Sequence, residues 1–240
     1  MPVPPPGMTT TDRASLYRLL AWLSPSFPTG AFSYSHGLET AVANGAIHDR
    51  PTLQRWIAAI VMHGSGRTDA DILRDTYRAG FVENAAGVEE ANRRGLAYRP
   101  TAELALESGQ QGAAFRSTWL AAWTDSSLDP HPPGPQGRVG EGVCAPAAFG
   151  SAAANANLAL EDALLGYLHA LATNLVSAGL RLGVIGQTDG QRILAALEPV
   201  VARAAAAALT REPADFGGAT FAVDVASMRH ETQYSRLFRS

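Results

Sequence analysis

With 240 residues, 46% of them apolar and 17% charged, the chain can bury one sizeable core and is too apolar for general disorder. A net charge of −3 lacks the basic footprint of a dedicated nucleic-acid binder. All nineteen basic residues are arginine, so there is no lysine for a GxxxxGK[ST] phosphate loop or for Schiff-base chemistry. The single cysteine, Cys144, excludes a disulfide within the chain and favours a reducing, cytoplasmic setting.

Residues 1–11, MPVPPPGMTTT, are proline-rich and uncharged. They lack the basic start and apolar centre of a signal peptide and read as a disordered leader. Leu16, Leu19, Leu20 and Leu23 then recur at i, i+3, i+4 and i+7, which predicts a first helix. It runs into SPSFPTGAFSYSHGLE, Ser24 to Glu39. Here Pro25 and Pro28 stop the helix, Gly30 permits a tight turn, and Ser33 or a neighbour caps the next helix, with Phe32 and Tyr34 packed or protruding. Ser33, Ser35 and His36 are close in sequence, but a catalytic triad is a matter of geometry and adjacency does not supply it. No GxSxG elbow occurs, and no catalytic residue is assigned.

Leu53, Trp56, Ile57 and Ile60 predict a helix opened by Pro51. In MHGSGRTDAD that follows, His63, Asp69 and Asp71 could converge on a metal. A turn leading into a capped helix is the simpler reading. Phe115, Trp119 and Trp123 step by four along one helix face. Residues 128–143 form a long Pro/Gly-rich connection, read as a mobile surface loop. Cys144 with His131 could bind a soft metal across a subunit interface. Without HxxxH, HExxH or CxxC spacing, however, no dedicated metal site is predicted.

Leu164, Leu168, Leu171, Leu175, Gly179 and Leu182 make a long helical seam. The apolar stretch Ala163 to Leu180 has the length of a membrane span, but His169, Thr173, Asn174 and Ser177 within it favour the buried helix of a soluble bundle. Thr188 and Gln191 have capping-box spacing and predict a helix through Ile193, Leu197, Val200 and Val201, extended by Ala204 to Ala208. Phe221, Val223 and Val225 alternate over too short a stretch to found a sheet. The fold class is therefore all-α: a single-domain bundle of about eight to ten helices over residues 12–231, followed by a tail, 232–240.

SMRHETQYSRLFRS, Ser227 to Ser240, is unusual for a chain end. On a helix Tyr234, Leu237 and Phe238 fall at i, i+3 and i+4, beside arginines. Such a segment either docks on its own bundle or folds against a partner, and the pattern leaves both open.

LLAWLSPSFPTGAFSYSHGLE, NLVSAGLRLGVIGQTDGQRIL and SMRHETQYSRLFRS, in that order along the chain, together resemble the UreF family of urease accessory proteins. The resemblance implies an all-helical, dimeric, cytoplasmic maturation factor and no enzyme. It implies partners: the accessory protein UreD (UreH in some organisms), the GTPase UreG and, through the complex, apo-urease. The complex would handle nickel and UreG would bind GTP, with no tightly held cofactor, nucleic acid or membrane partner for this chain. By the same resemblance Arg229, His230, Glu231, Tyr234, Arg236, Leu237 and Phe238 are candidate partner contacts. Phe32, Tyr34, His36 and Glu39 form a second candidate surface. Two other classes stand beside this reading. One is an all-α regulator binding DNA through an N-terminal helix-turn-helix, which lacks a basic face. The other is a metal-dependent hydrolase using His63, Asp69 and Asp71.

Overall fold

The computed structural model describes residues 12–124 and 142–240. The predicted leader and almost all of the Pro/Gly-rich connection lie outside them. The described residues form ten α-helices and two short 3-10 turns, with no strand. These are α1 Arg13–Trp22, α2 Leu38–Ala43, α3 Arg50–His63, α4 Ser65–Phe81, α5 Ala85–Ala97, α6 Ala102–Trp123, α7 Ala145–Asn155, α8 Leu160–Arg181, α9 Gln187–Thr210 and α10 Phe221–His230. The predicted all-α bundle is what forms.

Several helices begin where a short polar side chain takes up the orphan N–H groups of the first turn. Asp12 accepts from Ser15 N–H at 2.7 Å, and Thr101 from Leu104 N–H at 3.1 Å. Asp49 and Thr52 make a reciprocal capping box around Pro51. Two predicted caps are not made. α9 starts at Gln187 behind Gly186, with no side-chain cap, so Thr188 and Gln191 lie inside the helix. The turn at Gly64 leads into α4 without one either. The alternating Phe221, Val223 and Val225 lie in α10, where burial of Val223 and Ala226 overrides the weak strand pattern.

α4 is the central helix, packed against α3, α5, α7, α8 and α9. α7 is built of small residues and buried from Pro146 to Ala154. A Cβ on Gly150 would lie 2.7 Å from the Leu73 carbonyl oxygen of α4, so only glycine lets the two backbones cross this closely. Phe115 and Trp119 are buried. Trp22 meets Phe115 and Phe149 edge-on, with ring centroids 6.2 and 6.4 Å away, an arrangement aromatic quadrupoles favour. Phe27 packs 5.1 Å from Phe115 and pins the chain after α1 to this core. α8 and α9 each have the length and apolarity to cross a membrane. Here they pack on one another, with Leu164, Leu168 and Leu175 inside the core. The α1 leucines divide: Leu19 is buried, while Leu16 and Leu20 face outward.

Arginine does part of the work of the core. Arg74 of α4 is buried beside Asp71 and Asp75 and donates to the Ala208 carbonyl. Arg78 donates to Leu209 at 2.8 Å. Both guanidinium groups meet the carbonyl-rich end of α9, where positive charge is favoured.

Candidate functional site

The Ser24–Glu39 stretch and the tail, distant in sequence, build one joint. Gly30 takes a left-handed φ of 74° and opens a 3-10 turn, Ala31–Ser33. His36 follows at φ 57° and Gly37 at 72°. A Cβ on Gly37 would sit 2.6 Å from Ser227 N, so this glycine serves both the turn and the approach of α10. α2 has no side-chain cap; Ser33 does not supply one, and the nearest substitute is Ser35 Oγ, which accepts Glu39 N–H at 3.4 Å.

Glu39 holds the tail by its backbone. Its carboxylate accepts the N–H groups of Leu237 at 2.7 Å and Phe238 at 3.0 Å. It also faces His230 Nε2 at 3.2 Å, while His230 Nδ1 lies 2.9 Å from Glu103 on α6. His230 is fully buried between the two carboxylates. Arg236 adds a third contact, 3.0 Å from Glu103. Burial raises the Glu103 carboxyl above its ordinary range, against the pull of His230 and Arg236.

A second polar group lies beside it. His36 Nδ1 is 3.0 Å from Glu107, and its Nε2 is 2.8 Å from Ser65 Oγ. Burial disfavours the imidazolium, but the charge and hydrogen bond of Glu107 outweigh it and the His36 pKa is raised. Ser240 Oγ donates to Glu107 at 3.0 Å, and Ser35 N–H donates to the Ser240 carbonyl at 2.7 Å. Arg239 N–H donates to Ser33 O at 2.8 Å. The Tyr34 hydroxyl donates to Gln110 of α6, and Thr40 donates to Gln233 at 2.7 Å. Phe238 is buried beneath the Arg181 guanidinium, 4.3 Å from its ring centroid.

The eleven residues singled out in the sequence therefore fall into two layers. Tyr34, His36, Glu39, His230 and Phe238 are buried in the joint. Phe32, Arg229, Glu231, Tyr234, Arg236 and Leu237 lie on its outer side. Phe32 is 68% and Leu237 63% exposed, and Tyr234 is wholly exposed. Of the two fates open for the tail, this structure shows it docked on its own bundle. Sequence reasoning missed Glu103, Glu107 and Gln110 of α6, and Ser65 at the start of α4. The available signal was two carboxylates four residues apart on a helix whose other charged residue is Arg116.

The other candidates do not converge. Asp69 pairs with Arg99 at 2.7 Å and accepts from the Tyr167 hydroxyl at 3.0 Å. Asp71 turns to Arg74 and Arg211, and His63 is exposed. Among the described residues no group of three or more His, Cys, Asp or Glu is placed to hold a metal ion. Cys144 is buried, which pushes its thiol up to about 11; His131 lies outside the described residues.

Known proteins match this chain over nearly its whole length. The UreF family model matches residues 47–198. The urease accessory protein UreF of Granulibacter bethesdensis is 45% identical over 232 residues, covering 97% of each chain. Those of Rhodopseudomonas palustris strain BisA53 and Bradyrhizobium sp. strain ORS 278 are 44% and 45% identical over 236 and 229 residues. They cover 98% and 95% of this chain, and 98% and 93% of their own. All three carry the name of an accessory protein, not of an enzyme. With a family model over the middle of the bundle and relatives matched almost from end to end, the chain belongs to the UreF family.

Proposed function

We propose that this chain is an assembly chaperone that bridges a UreD/UreH protein and the GTPase UreG, so that GTP-dependent changes in UreG deliver nickel to apo-urease. Family membership makes it a urease accessory protein, not an enzyme, with its role in urease maturation. The finer reading is carried by one observation. Phe32, Met228, Tyr234 and Leu237, from the two segments that build the joint, are all exposed, and Arg229 and Arg236 are exposed in the same C-terminal segment. Exposed tyrosine and arginine are common interface anchors. In this reading nickel is cargo of the complex, GTP belongs to UreG, the chain works as a homodimer, and the setting is the cytoplasm.

Co-purification tests it. The tagged full-length chain, expressed with UreD and UreG of the same source, is expected to capture both. The double variant Tyr234→Ala/Leu237→Ala keeps the fold, since both side chains are exposed, and is expected to lose UreD. Capture of neither partner by the full-length chain would end the bridging reading. Full capture by the double variant would remove the tail from the interface.

A further inference from the structure

His36 does find a serine, but not one of its sequence neighbours. Its Nε2 lies 2.8 Å from Ser65 Oγ, while Nδ1 lies 3.0 Å from Glu107. Glu107 comes from α6, His36 from the turn before α2, and Ser65 from the first position of α4. Carboxylate, imidazole and hydroxyl are thus in line, with both links at hydrogen-bond length. That is the geometric test for an activated serine, and it is independent of sequence order.

Two further features belong to the arrangement. His36 and Ser65 both line a cavity of about 340 Å³, with Thr68, Arg99, Thr220 and Asp224 on its other walls. The N-terminus of α4 opens behind Gly64 at the same wall; the Arg67 and Thr68 N–H groups donate to the Gly64 carbonyl, which leaves those of Ser65 and Gly66 without an intrahelical acceptor. The partial positive charge of this N-terminus favours an oxyanion there. His36 also sits in the left-handed region at φ 57°, a strained setting for a residue with a side chain.

We propose that Ser65 is a reactive serine, a site of covalent acylation by a small activated ester, with His36 as its base and Glu107 holding the imidazole. In the step, the Ser65 oxygen forms a bond to the carbonyl carbon as its hydroxyl proton passes to His36 Nε2. The bond from that carbon to the ester oxygen breaks, and the proton leaves with the alcohol. No oxidant or reductant is needed. The proposal concerns one acylation and does not extend to turnover. It stands apart from the assembly reading.

The base form of His36 needs its proton removed. Charges reach the ring from every side: Glu107 on α6, Asp69 on α4, Arg99 before α6, and Asp224 on α10. Reaction is therefore expected to quicken as pH rises through the titration of His36.

A fluorophosphonate probe tests the proposal on the full-length chain, with the labelled residue located by peptide mass analysis. The expected result is label on Ser65, none there in Ser65→Ala, and a rate at least tenfold lower in His36→Gln, in line with the weight of a general base. The wild-type rate should rise with pH, and the His36→Gln rate should lose that dependence. Circular dichroism confirms that each variant is folded. Should His36→Gln not fold, the pH profile of the wild type carries the decision. Absence of label on Ser65, or a rate indifferent to both His36→Gln and pH, means an ordinary serine hydroxyl and overturns the proposal.

Discussion

The two layers of the joint use similar residues for opposite purposes. Its inner layer, Glu39, Glu103, His230 and Phe238, is buried and mutually satisfied. Its outer layer, Phe32, Tyr234 and Leu237, leaves large apolar side chains in water. An aromatic ring and a charged group four residues apart in the same tail can therefore belong to the fold or to the surface. The partner that each meets across the chain decides which. The contrast predicts that inner substitutions act first on stability, and outer ones on association alone.

The largest effect is expected from Glu39→Ala. It removes the acceptor of two tail N–H groups, that of Phe238 buried and that of Leu237 half-buried, and one of the two carboxylates facing His230. Leaving a buried partner unsatisfied costs about 1–3 kcal/mol, more where it is charged, and Glu39 serves both the Phe238 N–H and His230. Urea unfolding should show this destabilisation, and hydrogen exchange should show lost protection of the Leu237 and Phe238 amides. Unchanged protection of those amides would mean that Glu39 is not what holds the tail. Phe238→Ala comes next. Removing a buried phenylalanine costs about 3–5 kcal/mol, and the lower end is expected here, because the site borders the surface beside the partly exposed Arg181. If Phe238→Ala left stability unchanged, the inner layer would not include the aromatic ring.

Little of this layering was legible in the sequence, and the reason is physical. Helical period is local, so α3, α6 and α8 could be read from Leu53, Phe115 and Leu164 with their i+4 neighbours. The contacts of Glu39 with His230 and with the tail amides span 191 to 199 residues, and no periodicity carries information over that distance. The tail and the Ser24–Glu39 stretch were singled out for residue type, which both layers share. α1 shows the same limit. Leu16 and Leu20 satisfy the helical pattern as well as Leu19 does, yet they face outward, because the pattern gives the helix and packing selects the face. Inside MHGSGRTDAD, His63, Asp69 and Asp71 are metal-ligand types at short spacing, whereas Ser65 carries no local pattern of its own. Its partner His36 is 29 residues earlier.

A smaller effect, visible only through pH, is expected at His36. Its pKa in the fold is raised above its ordinary value, with Glu107 overcoming burial. A group of that kind lends its full stability below the unfolded pKa, near 6.5, and loses it as pH rises through the folded value. The stability difference between wild type and His36→Gln should therefore be greatest below about pH 6 and shrink in alkaline buffer. Urea midpoints measured across that range check the sign. A difference that grows with pH would show that His36 is held neutral in the fold.

The smallest effect on the isolated chain is expected from Tyr234→Ala, and that is its use. The ring is wholly exposed, so its loss should leave the unfolding midpoint and the exchange protection of the tail where they were. The same substitution should weaken capture of a UreD partner if the outer layer is the docking face. Glu39→Ala also weakens capture in this scheme, but only by freeing the tail, and it shows in the exchange protection of Leu237 and Phe238 before any partner is added. The pair of variants thus separates a residue that positions the tail from one that meets the partner. If Tyr234→Ala lowered stability and left capture intact, the layers would be assigned the wrong way round. The tail would then be a structural clasp, and the interface would have to lie elsewhere on the bundle.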